Sequence, residues 1–279
     1  MRRMKIFGRL PVRLATVLVA IVPLILAGAA PAAAAAPSND VIGSATMIAQ
    51  LPFRDVFDIS QATWDSSTDS SACSFSQAHS VWYTFTPVAS EQVAFDPSAS
   101  NGPIAVDVFT GSPGALTRVG CGSGGSSGFD DSGFILSAVA GTQYWIMAST
   151  GCCVSTPNLD LSVYVAVPPL ATISIDRGSV DLGGNATIAG TLACVGTVVP
   201  SFFRPAELSG SVRQSVGRLS SVTATFATPT ACSPVQGWTA LAQPTTGRFV
   251  GGHATVNAAT TLCNLAGCAT PSATTVIKL

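Results

Sequence analysis

The stretch Leu159–Val167, LDLSVYVAV, alternates residue by residue. Leu159, Leu161, Val163, Val165 and Val167 fall on one side, Asp160, Ser162 and Tyr164 on the other. A period of two is the mark of a β-strand with one face on a core, and helical geometry cannot bring those side chains together. The pattern recurs. VWYTFTP sets Val81, Tyr83 and Phe85 against Trp82, Thr84 and Thr86; PIAVDVFTG sets Ile104, Val106 and Val108 against Asp107. TQYWIMA sets Tyr144, Ile146 and Ala148 against Gln143, Trp145 and Met147. Beyond residue 35 the chain holds one lysine, Lys278, and two glutamates, Glu91 and Glu207, so strong helix formers are scarce. The sequence predicts an all-β protein of many short strands separated by Gly, Pro, Asn and Ser clusters.

The first 35 residues read differently. Arg2, Arg3, Lys5, Arg9 and Arg13 precede the apolar run Leu14–Ala30, and a small-residue stretch with Ala33 and Ala35 follows. This is a secretory signal peptide, with cleavage expected after Ala35 and a secreted, extracellular product. No later stretch is apolar over a membrane-spanning length.

Pro168-Pro169 ends one strand pattern and precedes another, which predicts a linker at 168–169 between domains at 37–167 and 170–279. The charge changes at the same point. Residues 36–167 carry two arginines against ten aspartates and Glu91, a net of −9; residues 170–279 carry five arginines and Lys278 against three acids, a net of +3. No basic run interleaved with aromatics points to nucleic acid. In the second half, SVDLGGNATIAGTLAC places Val180, Leu182, Ala186, Ile188, Leu192 and Cys194 at one parity. GRFVGGHATVNA sets Val250, Ala254 and Val256 against Phe249, His253 and Thr255, and the whole reads as an immunoglobulin-like β-sandwich.

The segments PSND with LPF, HSVWYTFTP, VDVFTGSPGALTRVGC and AGTQYWIMAS resemble the bacterial pre-peptidase C-terminal domain over residues 37–167. The resemblance implies a jelly-roll-like β-sandwich and an accessory, non-catalytic module of exported proteins. Two positions depart from that pattern: Gly102-Pro103 precedes the strand of Val106, and GSGG follows Cys121, so the resemblance carries no cation site over to this chain. The second half is similar to secreted actinobacterial immunoglobulin-like domains of unknown function, and its CNLAGC to the disulfide hairpin of neocarzinostatin-type apoproteins.

Eight cysteines follow the leader, four in each half: Cys73, Cys121, Cys152 and Cys153, then Cys194, Cys232, Cys263 and Cys268. An even count in an exported chain reads as disulfides, and with only His79 and His253 for company the cysteines do not read as zinc ligands. If the strands of the first half alternate in direction, all four of its cysteines gather at one end of the sandwich. Cys152 and Cys153 cannot bond to each other without strain, so each is expected to bond one of Cys73 and Cys121. In the second half the short spacing favours Cys263–Cys268, leaving Cys194–Cys232.

Catalytic motifs are weak. GGSSG formally matches G-x-S-x-G at Ser126, but it sits in a Gly/Ser loop and lacks the strand–turn–helix context of a nucleophile elbow. His79 and His253 stand in different halves with no motif around either, so no catalytic residue is assigned. Asp130 and Asp131, with Asp107 or Asp96, are calcium candidates, against the alternative of turn chemistry. Among Trp64, Trp145 and Trp238, Trp145 on the non-core side of its strand is a candidate for stacking on a sugar ring, against a second layer of packing. The expected role is non-enzymatic binding of the cell envelope, a cell-wall polysaccharide or another secreted protein, without a cofactor. A small-ligand carrier, or an accessory part of a secreted hydrolase system, is the alternative.

Overall fold

A computed structural model describes residues 35–70, 73, 77–125, 133–151, 157–199, 206–218, 220–231 and 234–279. The expected leader, except its last residue, lies outside these, as do Ser126, Asp130, Asp131, Cys152, Cys153 and Cys232. The described chain from Ala35 to Leu279 forms one compact unit. It is all-β, and no described helix is long and apolar enough to cross a membrane.

After a 3-10 turn at Ile42–Ser44, nine strands make two sheets. They are β1 (Thr46–Ile48), β2 (Phe53–Asp58), β3 (Gln77–Phe85), β4 (Glu91–Asp96), β5 (Ile104–Ser112), β6 (Ala115–Gly124), β7 (Phe134–Ala138), β8 (Tyr144–Gly151) and β9 (Asn158–Val165). One sheet has the order β1-β3-β8-β5-β6, the other β2-β9-β4-β7. All their pairings are antiparallel except β1 with β3. The predicted alternation holds at the centre. Val81, Tyr83, Val106, Val108, Ile146, Ala148, Leu159, Leu161 and Val163 are sealed between the sheets. Gly122 has no room for a side chain: a Cβ there would lie 1.5 Å from the Gly133 carbonyl oxygen, at the entry to β7.

The second half forms β10 (Leu170–Ile173), β11 (Arg177–Val180), β12 (Ala186–Val195), β13 (Glu207–Val216), β14 (Ser220–Pro229), β15 (Val235–Ala242), β16 (His253–Thr260), β17 (Leu262–Asn264), β18 (Gly267–Ala269) and β19 (Ser272–Lys278). β12 pairs with β10 and β11 along one edge and β15 along the other, and a second sheet has the order β14-β13-β16-β19. Their inner faces meet around Ile188, Leu192, Leu208, Val212, Trp238 and Val256. Two expected parities fail at turns. Leu182 is fully exposed because Asp181 accepts the Asn185 backbone amide and closes a turn there. Phe249, not Val250, enters the core, because Gly251 and Gly252 (φ +146°) break the register before β16.

The two halves meet through the hairpin β17–β18, closed by Cys263–Cys268. Asn264 Nδ2 donates to the carbonyls of Val167 (2.8 Å) and Thr197 (2.9 Å). The Leu265 amide donates to the Tyr164 hydroxyl (3.0 Å), which in turn donates to Asp96 (2.8 Å). Ala94, Tyr164 and Val199 are buried there beside Leu265. The polar side of LDLSVYVAV is therefore covered too, while Val165 and Val167 at its end are exposed.

Candidate functional site

Much of the outer face of the β3-β8-β5-β6 surface is covered. Residues 63–70 cross it as a strap beside Trp82, Phe109 and Met147, which are buried together with Ile42 and have Trp64, Leu116 and Trp145 at their edges. This second apolar layer absorbs the side of each strand that alternation assigned to solvent.

Asp69 fastens the strap. Its carboxylate accepts from Ser80 Oγ (2.6 Å), the Trp82 indole N–H (3.1 Å), Thr68 Oγ1 (3.0 Å) and the Asp65 amide (2.9 Å). A buried carboxylate is tolerated when donors replace its water, as four do here. Further along, Asp65 accepts the amide and hydroxyl of Ser67, and these bonds hold the Asp65 carboxyl below its ordinary value. Thr63 is tied to Asp40, and the His79 ring nitrogen Nδ1 lies 2.7 Å from the Ala62 carbonyl.

Arg118 on β6 is fixed from three directions. Its Nε lies 3.0 Å from the fully buried Asp107 carboxylate, one terminal nitrogen donates to the carbonyl (2.6 Å) and hydroxyl (3.1 Å) of Ser70, and the guanidinium lies 5.4 Å from the Phe109 ring centre. Beside it opens a cavity of about 320 Å³, with Ile42, Phe109 and Leu116 as apolar wall, Ser67, Thr68 and Ser70 as hydroxyl wall, and Arg118 at the margin. Apolar and aromatic surface with a few placed hydroxyls and one fixed cation suits a polyhydroxylated or acidic small group. Trp145 lies opposite Phe109 across the β5–β8 pair, half-buried, its indole N–H donating to the Gly111 carbonyl (3.1 Å).

The disulfides correct one expectation. Cys73 bonds Cys121, with Cα atoms 6.0 Å apart, so neither is the partner of Cys152 or Cys153. Within each sheet the hydrogen-bonded strands from β3 to β9 alternate in direction, but β6 runs on to Gly124, so Cys121 lies within the strand, opposite Asp107, and not at its foot. The strap carries Cys73 over that face. Cys263–Cys268 forms as expected. Cys194 is disulfide-bonded too; its expected partner Cys232 lies outside the described residues.

Of the calcium candidates within the described residues, Asp107 faces Arg118, and Asp96 accepts from Ser98 and Tyr164. No cluster of three His, Cys, Asp or Glu side chains suited to a metal occurs among the described residues. His79 serves the strap, and His253 is exposed on the second sandwich. Trp238 is buried there, stacked on Phe226. Sequence reasoning missed Arg118, Asp69 and the Ser67–Ser70 wall. A signal was present: the first half has only two arginines among its many acids, and each is matched to a buried aspartate, Arg54 to Asp160 (2.6 Å) and Arg118 to Asp107.

No family model and no curated protein matches the chain. Among solved structures it is similar to β-glucuronidase 3 of Bacteroides uniformis, at 10% identity over 73% of this chain with a TM-score of 0.23. It is likewise similar to the β-glucuronidase of Parabacteroides merdae, at 10% identity over 70% of this chain with a TM-score of 0.23. The chain spans 27% of the length of each, and at such scores the likeness carries no argument about activity.

Proposed function

We propose that this chain is an exported, non-catalytic binding protein whose first sandwich holds a saccharide unit of a cell-wall polysaccharide in the cavity beside Arg118. The observation that carries this reading is the pairing of a hydroxyl wall (Ser67, Thr68, Ser70) with an aromatic and aliphatic one (Phe109, Leu116) under a cation locked in place. A pre-organised guanidinium loses little entropy on binding a ring oxygen or an acid group. Trp145 stands one strand away and would extend the apolar footing for a second ring. Export fits the disulfides at Cys73–Cys121 and Cys263–Cys268, which persist in oxidising compartments. The resemblance to pre-peptidase C-terminal modules supports the same reading, and no cofactor is invoked.

The test is co-sedimentation of the chain from residue 36 onward with purified cell wall and insoluble polysaccharides, with and without calcium. Retention is expected in both conditions, and Ser67→Trp, which fills the cavity from an exposed position, should reduce it about tenfold or more. Absence of retention, or equal retention of Ser67→Trp, would overturn the assignment.

A further inference from the structure

The outer face of the β14-β13-β16-β19 sheet carries exposed side chains in rows across four strands, with Ser211 half-buried among them. One row reads Thr225, Ser211, Asn257, Thr274; the next reads Thr223, Arg213, Thr255, Val276. In the row beyond, His253 stands directly opposite Lys278, diagonal to Arg213. Arg213, His253 and Lys278 are all exposed, and Arg213 and His253 border a depression of about 500 Å³ together with Ser215, Thr255 and Val276. The carboxylate on this face among the described residues, Glu207, lies six residues along β13 from Arg213, about 20 Å away.

Nothing within the fold calls for this arrangement. Arg213 and Lys278 flank the strand that carries His253, and no acidic side chain on the described strands of this sheet stands beside either. The surrounding face is unusual as well: small hydroxyl and amide side chains, close to the backbone, with Val276 60% exposed among them. A flat, hydroxyl-rich surface with a cationic end is complementary to an extended chain that is itself hydroxyl-rich and periodically anionic.

We propose that this sheet face binds a linear, carboxylate-bearing polysaccharide. Arg213 and Lys278 take the acid groups, the His253 imidazole adds a hydrogen-bonding edge, and the Thr and Asn rows meet sugar hydroxyls. The surface lies on the other sandwich from the Arg118 cavity and stands whether or not that cavity binds anything.

The experiment measures binding of the chain to polygalacturonate, dextran and a DNA duplex at low and high salt, for the native sequence and for the triple variant Arg213→Gln, His253→Asn, Lys278→Gln. The native chain should bind polygalacturonate and not dextran through this face, with affinity falling about tenfold between 50 and 200 mM salt. The triple variant should lose about tenfold at low salt and most of the salt dependence. Three results would overturn the proposal: no binding to polygalacturonate, binding unaffected by the triple variant, or DNA bound equally well, which would mark a generic attraction for polyanions. All three side chains are exposed, so the variant tests the surface without disturbing a core.

Discussion

Asp69 shows how much a single side chain organises here. One carboxylate ends four hydrogen bonds from four residues, two on the strap and two on β3, and so fixes the layer above Trp82. Its removal leaves a buried hydroxyl and a buried indole N–H without an acceptor, which costs more than the lost bonds themselves. Asp69→Ala is expected to destabilise by about 3 kcal/mol, measured by urea unfolding followed through tryptophan fluorescence. Asp69→Asn keeps part of the acceptor capacity and should lose less. Equal losses would mean that the charge, not the acceptor count, is what matters. Before folding, Asp69 is one more aspartate in the run WDSSTDSS, and nothing distinguishes it from a solvated turn residue.

At the level of elements, the strap depends on acidity through Asp65. Because its folded-state value lies below the ordinary one, the ionised form contributes stability at pH values above about 4, and that contribution disappears as pH falls through the lowered value. Asp58 and Asp181, each held down by hydrogen bonds of its own turn, add the same sign. The thermal midpoint should therefore fall between about pH 5 and pH 2, and Asp65→Asn should flatten part of that fall; an unchanged profile in the variant would refute the link. The strands themselves were legible in the sequence, since parity alone assigns which side chains share a face. What parity does not encode is the covering of the far face. Trp82, Met147 and Asp107 sit at positions that alternation gives to solvent, yet all three are completely buried, because a loop without periodicity of its own lies across them. The candidate cavity was illegible for the same reason: Ser67 and Arg118 are 51 positions apart and meet only once the strap is down.

For the molecule as a whole, the hairpin β17–β18 is the fastening between the sandwiches. With Cys263→Ser and Cys268→Ser together, about 2 kcal/mol of stability should go. More tellingly, calorimetry should show a single heat-absorption peak broadening or splitting as the sandwiches unfold separately. A single sharp peak in the variant would place the coupling elsewhere. The same fastening sets an order of events during synthesis. Leu265 comes 101 residues after Tyr164, and Val199 comes 105 residues after Ala94, so the surface around Ala94 and Tyr164 has no cover while the intervening chain is still being made. The first sandwich thus leaves the ribosome with an unfinished side that only a segment about a hundred residues further along can close. Newly made chains should be at their most adhesive in that interval, and most in need of a chaperone.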